Sequence, residues 1–298
     1  MINVSSLTKR YGRRVAVDAL SFDVAAGRVT GFVGPNGAGK STTMRMMVGL
    51  TRPDRGETTY RGVRYSQMRQ PARVVGTVLD ARSMHPGRTA RNHLAAAAAL
   101  ASIPAGRVEA VLDEVGLDSA ADQRTGGFSL GMRQRLALAG ALLGEPEVLL
   151  LDEPSNGLDP DGIRWLRNSL SAFADNGGTV FVSSHLIAEL AMFADDLVVV
   201  GAGRLLAAET VATTLARGES TVSVNTPQSA ELGRLLERHG IDSDASADQL
   251  SARGTTTNAV SQIAFDNHIH VIEITETRRS LEEILLDITG SSAEFAAA

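Results

Sequence analysis

The chain contains no cysteine. Disulfides and zinc–thiolate sites are therefore excluded, and the composition is compatible with the cytosol. There is no excess of basic charge either: Lys and Arg number 29 against 34 Asp and Glu. That balance argues against a nucleic-acid surface, so no nucleic-acid partner is expected. The amino-terminal MINVSSLTKRYG has no apolar run of the signal-peptide kind. The most apolar stretch, LAAAAALA (Leu94–Ala101), is far short of the roughly 20 residues that span a bilayer. The sequence thus predicts a soluble chain, and it shows no internal repeat and no low-complexity segment beyond these alanines.

What is present is an ordinary globular composition, 43% hydrophobic and 21% charged over 298 residues, enough for one large domain and a smaller one. Alternation at Val15 and Val17, then Leu20, Phe22 and Val24, reads as half-buried strands. VTGFV (Val29–Val33), EVLLLDE (Glu147–Glu153) and GTVFVSSH (Gly178–His185) are short apolar runs that end in glycine or polar residues. Such runs suit a parallel sheet covered on both faces, with chemistry at the carboxyl ends of the strands. Between about Pro86 and Gly144 the strand signals vanish. RTARNHLAAAAALASI, GRVEAVLDEVGL and SLGMRQRLALAGALLG all read as helices, which predicts a helical subdomain inserted into the α/β core.

The composition shifts after about Gly218. TVSVN, SAELGRLLERHG, a weak hairpin IDSDAS/DQLSARG, NAVSQIAFDNH and HVIEIT follow in turn. That order predicts a small α+β domain of βαββαβ, ferredoxin-like type over 218–298, after a first domain over 1–217. It closes with SLEEILLDITG, where Ser280 and Glu283 have capping-box spacing. The final SSAEFAAA reads as a frayed end.

GPNGAGKST (Gly34–Thr42) follows a strand, precedes the helical TTMRMMVGL and matches G-x-x-x-x-G-K-[ST]. In such a loop Gly34, Pro35, Asn36, Gly37, Ala38 and Gly39 turn successive backbone N–H groups toward a β-phosphate. Lys40 reaches the β- and γ-phosphates, Ser41 offers a hydroxyl to Mg²⁺, and Thr42 follows in the helix start. The expected ligands are a nucleoside triphosphate and Mg²⁺. In VLLLDEP (Val148–Pro154) four apolar residues bury a strand from whose end Asp152 emerges. Asp152 is placed to hold the Mg²⁺ shell, and Glu153 to polarise an attacking water.

A second glycine-rich turn, GGFSLGMRQRL (Gly126–Leu136), opens a helix without carrying a GKS. With the phosphate loop and the acidic strand on either side of it, the chain resembles the ATP-binding subunits of ABC transporters, whose signature sequence this turn is similar to. The resemblance covers about Met1–Arg217. It implies a P-loop NTPase core with an amino-terminal antiparallel β subdomain and the inserted helical subdomain. It also implies that two copies pair head to tail, each ATP lying between one phosphate loop and the other chain's signature turn. Ser129 and the N–H of Gly131 would then face the partner's γ-phosphate.

Further positions match the family one by one. Tyr11 stands where the family stacks an aromatic on adenine. SNGLDP (Ser155–Pro160) is similar to the loop whose Asp159 contacts the opposing subunit, and His185 corresponds to the histidine that senses γ-phosphate. The other five histidines, His85, His93, His239, His268 and His270, fit no motif. Asp80 stands where the family has Gln or Glu, shorter by a methylene; it either reaches Mg²⁺ through water or has an altered role in signalling to the membrane partner. Phe128 replaces the usual leucine and Met132 the usual glutamine of the signature. The second change, with the carboxy-terminal extension, resembles the branch that exports drugs and antibiotics.

The resemblance thus implies an ATPase that powers a separate integral membrane permease from the cytoplasmic face of the membrane. The chain supplies every element of both composite sites, which suggests a homodimer; a paired non-identical subunit is the alternative. Two other classes compete. A soluble ABC ATPase acting on ribosomes or DNA carries tandem ATPase domains or long coiled coils, and a P-loop kinase or transferase has no signature turn.

Overall fold

The computed structural model describes residues 1–80, 83–185, 187–218 and 220–294. It divides into two compact units, Met1–Val211 together with the chain from Ile288 onward, and Ala212–Asp287.

In the first unit, the alternating amino-terminal residues form an antiparallel hairpin. Strands β1 (Ile2–Tyr11) and β2 (Arg14–Val24) bury Ile2, Val4, Leu7, Leu20, Phe22 and Val24 on one face. The apolar run β3 (Val29–Val33), buried at all five positions, leads through the glycine-rich loop into helix α1 (Lys40–Met47). Strand β4 (Arg55–Tyr60) then pairs with the free edge of β1, giving a three-stranded antiparallel sheet in the order β2-β1-β4.

Strand β5 (Val75–Val78) precedes the helical insert. Its three α-helices are α2 (Ala90–Leu100), α3 (Gly106–Glu114) and α4 (Leu130–Leu142). Two of them start on a hydroxyl cap: Thr89 accepts from Asn92 N–H, and Ser129 accepts from Met132 N–H. The chain returns to the core as β6 (Val148–Asp152), α5 (Pro160–Asp175), β7 (Thr179–Ser184) and α6 (Ile187–Leu190). It finishes the sheet with β8 (Asp196–Gly201) and β9 (Arg204–Thr210). The six-stranded order is β5-β6-β7-β3-β8-β9, parallel except for the antiparallel pair β8–β9. This is the α/β architecture expected of a P-loop NTPase with an antiparallel β subdomain and a helical insert.

Three phenylalanines join the two sheets. Phe22 of β2, Phe32 of β3 and Phe181 of β7 stand with ring centroids 5.0 to 5.8 Å apart, the tilted and offset spacing that aromatic pairs favour.

Helix α7 (Val211–Ala216) runs into the second unit, which continues β10 (Ser220–Asn225), α8 (Ser229–Arg238), β11 (Ser243–Ser246), β12 (Gln249–Arg253), α9 (Thr257–Asp266) and β13 (Glu273–Arg278). All pairings are antiparallel, in the order β11-β12-β10-β13, a small α+β unit of split βαβ form. Its core is built from Val222, Val224, Leu232, Leu236, Leu250 and Val260. The HVIEIT segment enters the ladder only at Glu273, opposite the last residue of β10, Asn225; before it, His270 N–H donates to Gln228 Oε1.

The capping box forms as the spacing predicts: Ser280 Oγ accepts from Glu283 N–H, and Ser280 N–H donates to the Glu283 carboxylate. The frayed-end reading holds less far. Helix α10 (Leu281–Glu294) carries Ser291–Glu294 along with it, and 295–298 lie outside the described residues.

Tyr60 gives a test of the first unit's core. It is 1% exposed, and its hydroxyl donates to the Met47 carbonyl at 3.1 Å. Burial holds its phenol well above the ordinary tyrosine range. A folded-state value raised above the unfolded one contributes stability that is complete below about pH 10 and lost as pH rises beyond it. Tyr60→Phe keeps the ring but strands that carbonyl, so urea denaturation at pH 7 should show a loss of about 1 kcal/mol. The variant should also lose less stability than the wild type between about pH 9 and 11. An unchanged alkaline slope would contradict this account.

Candidate nucleotide site

The phosphate loop has the shape it has because two of its residues have no side chain. A Cβ on Gly34 would lie 2.2 Å from the Val200 carbonyl oxygen of β8, and one on Gly39, where φ is +102°, 2.5 Å from that of Ala16 in β2. No side chain fits at either place. The loop is therefore pressed between β8 and β2 while its N–H groups stay open toward a cavity of about 490 Å³.

Tyr11, Pro35, Asn36, Gly37, Gly39, Lys40, Ser41, Thr42, Glu153 and His185 all line that cavity. Gly34, Ala38 and Asp152 are not among the residues lining it, and Ala38 is buried at 4% exposure. Tyr11 is half-exposed, with the Lys9 ammonium 5.6 Å from its ring centroid. Its ring thus carries a cation over one face.

The end of the cavity beside β6 and β7 is tightly cross-linked. Lys40, 6% exposed, donates to the Gly34 carbonyl at 2.7 Å, and its ammonium stands 3.5 Å from Glu153 Oε1. The other carboxylate oxygen of Glu153 accepts from the backbone N–H of His185 at 3.2 Å and lies 2.7 Å from His185 Nδ1. Glu153 itself has φ +49°, the left-handed region that side-chain-bearing residues enter at a cost of about 1–2 kcal/mol. Such backbone strain concentrates at functional positions, where surrounding bonds enforce it.

The enforcing group is Ser183, fully buried in β7. Asp152 and Ser183 are paired in the β6–β7 register. The Ser183 hydroxyl donates to Asp152 Oδ1 at 2.6 Å and accepts from Glu153 N–H at 2.9 Å. One hydroxyl thus orients both acids. The sequence reading missed Ser183, as it missed the cavity-lining Arg14, Ala16 and Asn156. The polar ending of GTVFVSSH was the available signal for Ser183, but the strand register that gives it meaning is not visible in one segment.

The remaining expected site residues stand apart from this cavity. Ser129 caps α4, with Gly131 in the first turn of that helix. Asp159 caps α5, its carboxylate accepting from Gly162 N–H at 2.8 Å. Asp80 follows β5, exposed and outside the cavity lining.

Comparison with known proteins agrees with this geometry. The ABC transporter family model matches residues 17–156, and a domain of unknown function (DUF8746) matches residues 220–282. The chain is 31% identical to the uncharacterized ABC transporter ATP-binding protein YhcH of Bacillus subtilis, across 99% of this chain and 97% of that protein. It is 32% identical to the bacitracin transport ATP-binding protein BcrA of Bacillus licheniformis, across 97% of each. A solved structure of the ATP-binding subunit of an ABC transporter superposes with a TM-score of 0.66 at 27% identity, covering 73% of this chain and 92% of that one. With transport relatives matched over its whole length and an NTPase loop facing an acidic strand end, the chain belongs to the ABC transporter family as an ATP-binding subunit, an ATPase.

Proposed function

We propose that this subunit works as a homodimer, drives a separate membrane permease from the cytoplasmic face of the membrane, and powers export of an antibiotic-like compound. The observation that carries the ATPase chemistry is the convergence of Lys40, Glu153 and His185 within hydrogen-bonding or ion-pair distance of one another. The full-length likeness to a bacitracin transport protein supports the choice of substrate class. Among the described residues no helix is long and apolar enough to cross a membrane, so translocation falls to a partner protein. Asp80, at the start of the helical insert, belongs in this proposal to the relay between nucleotide and permease.

In the proposed cycle the γ-phosphate takes Lys40 away from Glu153. The freed carboxylate then accepts a proton from the attacking water, while His185, bonded to the same carboxylate, follows the γ-phosphate. The hard oxygen donors Ser41 and Asp152 fit Mg²⁺, which prefers one or two protein oxygens plus phosphates. Among the described residues no cluster of three or more His, Asp or Glu forms a metal site by itself, so the ion would arrive with ATP. Bound there, Mg²⁺ would neutralise negative charge on the phosphates.

Glu153→Gln should keep ATP binding and lower turnover by about 10²- to 10⁴-fold, measured by phosphate release. Undiminished hydrolysis would remove Glu153 from the mechanism. Lys40→Ala should weaken ATP binding by about 10- to 100-fold in calorimetry. Ser183→Ala leaves Asp152 without its donor and Glu153 N–H without its acceptor, at a cost of about 1–3 kcal/mol. It should depress turnover more than nucleotide affinity.

Gly131 tests the dimer. A Cβ there would meet only ordinary contacts, Leu158 at 3.8 Å and Ser129 Oγ at 3.9 Å, and an acid suits the first turn of a helix. Gly131→Asp should therefore fold normally and bind ATP at its own phosphate loop. It should nonetheless lose ATP-dependent dimerisation and turnover, because the new carboxylate repels the partner's γ-phosphate. Retention of both would exclude the head-to-tail pair.

The permease is tested by tagging the chain in its native host and identifying what co-purifies from gently solubilised membranes. An integral membrane protein in roughly one-to-one amount supports transport. Recovery only with ribosomes or nucleic acid would overturn the choice of partner while leaving the ATPase chemistry intact.

A further inference from the structure

We infer that Arg14 is a phosphate-binding residue of the nucleotide site, placed with Tyr11 by the β1–β2 hairpin so that aromatic ring and guanidinium address the two ends of one nucleotide. This rests on the nucleotide-binding reading above and adds to it a cation that no motif marks.

The hairpin is the first reason. Tyr11 and Arg14 are cross-strand partners, the last pair before the turn. Directly opposed residues in an antiparallel pair project from the same face, with Cβ atoms about 4.5–5.5 Å apart. Both line the cavity of the phosphate loop. A ring suited to a nucleobase and a guanidinium suited to phosphate thus stand side by side on one edge of it.

The second reason is that backbone contacts fix where β2 runs. The Ala16 carbonyl lies against Gly39, Asp18 N–H donates to the Gly203 carbonyl at 2.9 Å, and Gly203 N–H donates to the Ala38 carbonyl at 3.2 Å. Arg14, two residues before Ala16, is carried over the loop by that anchoring. Its guanidinium nitrogen stands 3.3 Å from where a Cβ on Gly37 would lie. Gly37, at φ +83°, leaves the space that the approach uses.

The third reason is charge. Three basic side chains of the same unit are paired: Lys9 with Asp54 at 3.2 Å, Arg204 with Asp18 at 2.8 Å and Arg28 with Asp196 at 2.8 Å. Lys40 is committed to the Gly34 carbonyl and Glu153. Among the described residues the guanidinium of Arg14 has neither a hydrogen bond nor an ion pair, and the residue lines the cavity of the phosphate loop. A guanidinium stays charged at every physiological pH and binds phosphate oxygens in bidentate fashion.

The test is equilibrium binding of ATP and ADP to the full-length chain in a Glu153→Gln background, which holds ATP unhydrolysed. Arg14→Gln should weaken ATP binding by about 10- to 100-fold and make affinity less dependent on salt. Arg14→Lys should restore part of both. Tyr11→Ala is the control: it should lower affinity without changing the salt dependence. In the wild-type Glu153 enzyme, Arg14→Gln should raise KM by more than it lowers kcat. Wild-type ATP affinity and salt slope in Arg14→Gln would overturn this inference alone. Failure of the parent chain to bind ATP would overturn the site reading itself.

Discussion

Strands β6, β7 and β3 lie side by side and parallel, and the contacts among Lys40, Asp152, Glu153, Ser183 and His185 depend on that adjacency. In an open parallel sheet the strands' carboxyl ends share one edge, and ligands bind in the crevice beyond it. Here the edge collects the phosphate loop after β3, the acids at the end of β6 and the histidine at the end of β7. Lys40 and Glu153 are far apart in sequence, yet their charged groups are 3.5 Å apart. The β6–β7 register supplies the finer alignment. It sets Ser183 opposite Asp152, so that a single buried hydroxyl serves the carboxylate on one side and the Glu153 backbone on the other. A slip of one residue would turn Ser183 to the opposite face of the sheet.

The antiparallel sheet extends this edge into a cavity. It is held to the parallel sheet by the Phe22–Phe32–Phe181 cluster and by the backbone contact of Ala16 with Gly39. Aromatic residues are only 4% of the chain, and three of them meet at this junction. Through it the tip of the first hairpin is positioned over the phosphate loop, with Tyr11 and Arg14 on the same side. A chain that formed the loop without the junction would have a phosphate cradle and no wall beside it.

Legibility from sequence followed how local each constraint is. The phosphate loop, the acidic strand end and the signature turn each need particular residue types at fixed spacing along one stretch of chain, and they were readable as such. So were the buried strands, because five-residue apolar runs such as Val29–Val33 have few other uses. The capping box at Ser280 and Glu283 was readable for the same reason, and the bonds are present. Ser183 and Arg14 were not readable, because each acquires its place from a partner across a strand pair. A serine at the end of an apolar run is common, and a basic residue after a hairpin turn is commoner still. Only register makes one a clamp on two acids and the other the cross-strand neighbour of Tyr11. Asp80 shows the converse: a position inferred from order along the chain is not thereby brought to the cavity.

At Glu153 a strained backbone and a convergence of bonds occur together. A glutamate at φ +49° is disfavoured by about 1–2 kcal/mol, an amount comparable to one or two net hydrogen bonds. Ser183 Oγ accepts the residue's own N–H, while Lys40, the His185 backbone and the His185 ring all meet its carboxylate. The same contacts that hold the strained conformer also occupy the groups that ATP needs. Lys40 cannot serve a phosphate fully while it is shared between the Gly34 carbonyl and Glu153. A ligand must therefore bring enough negative charge to outbid a carboxylate already in place, which a triphosphate does better than a monophosphate.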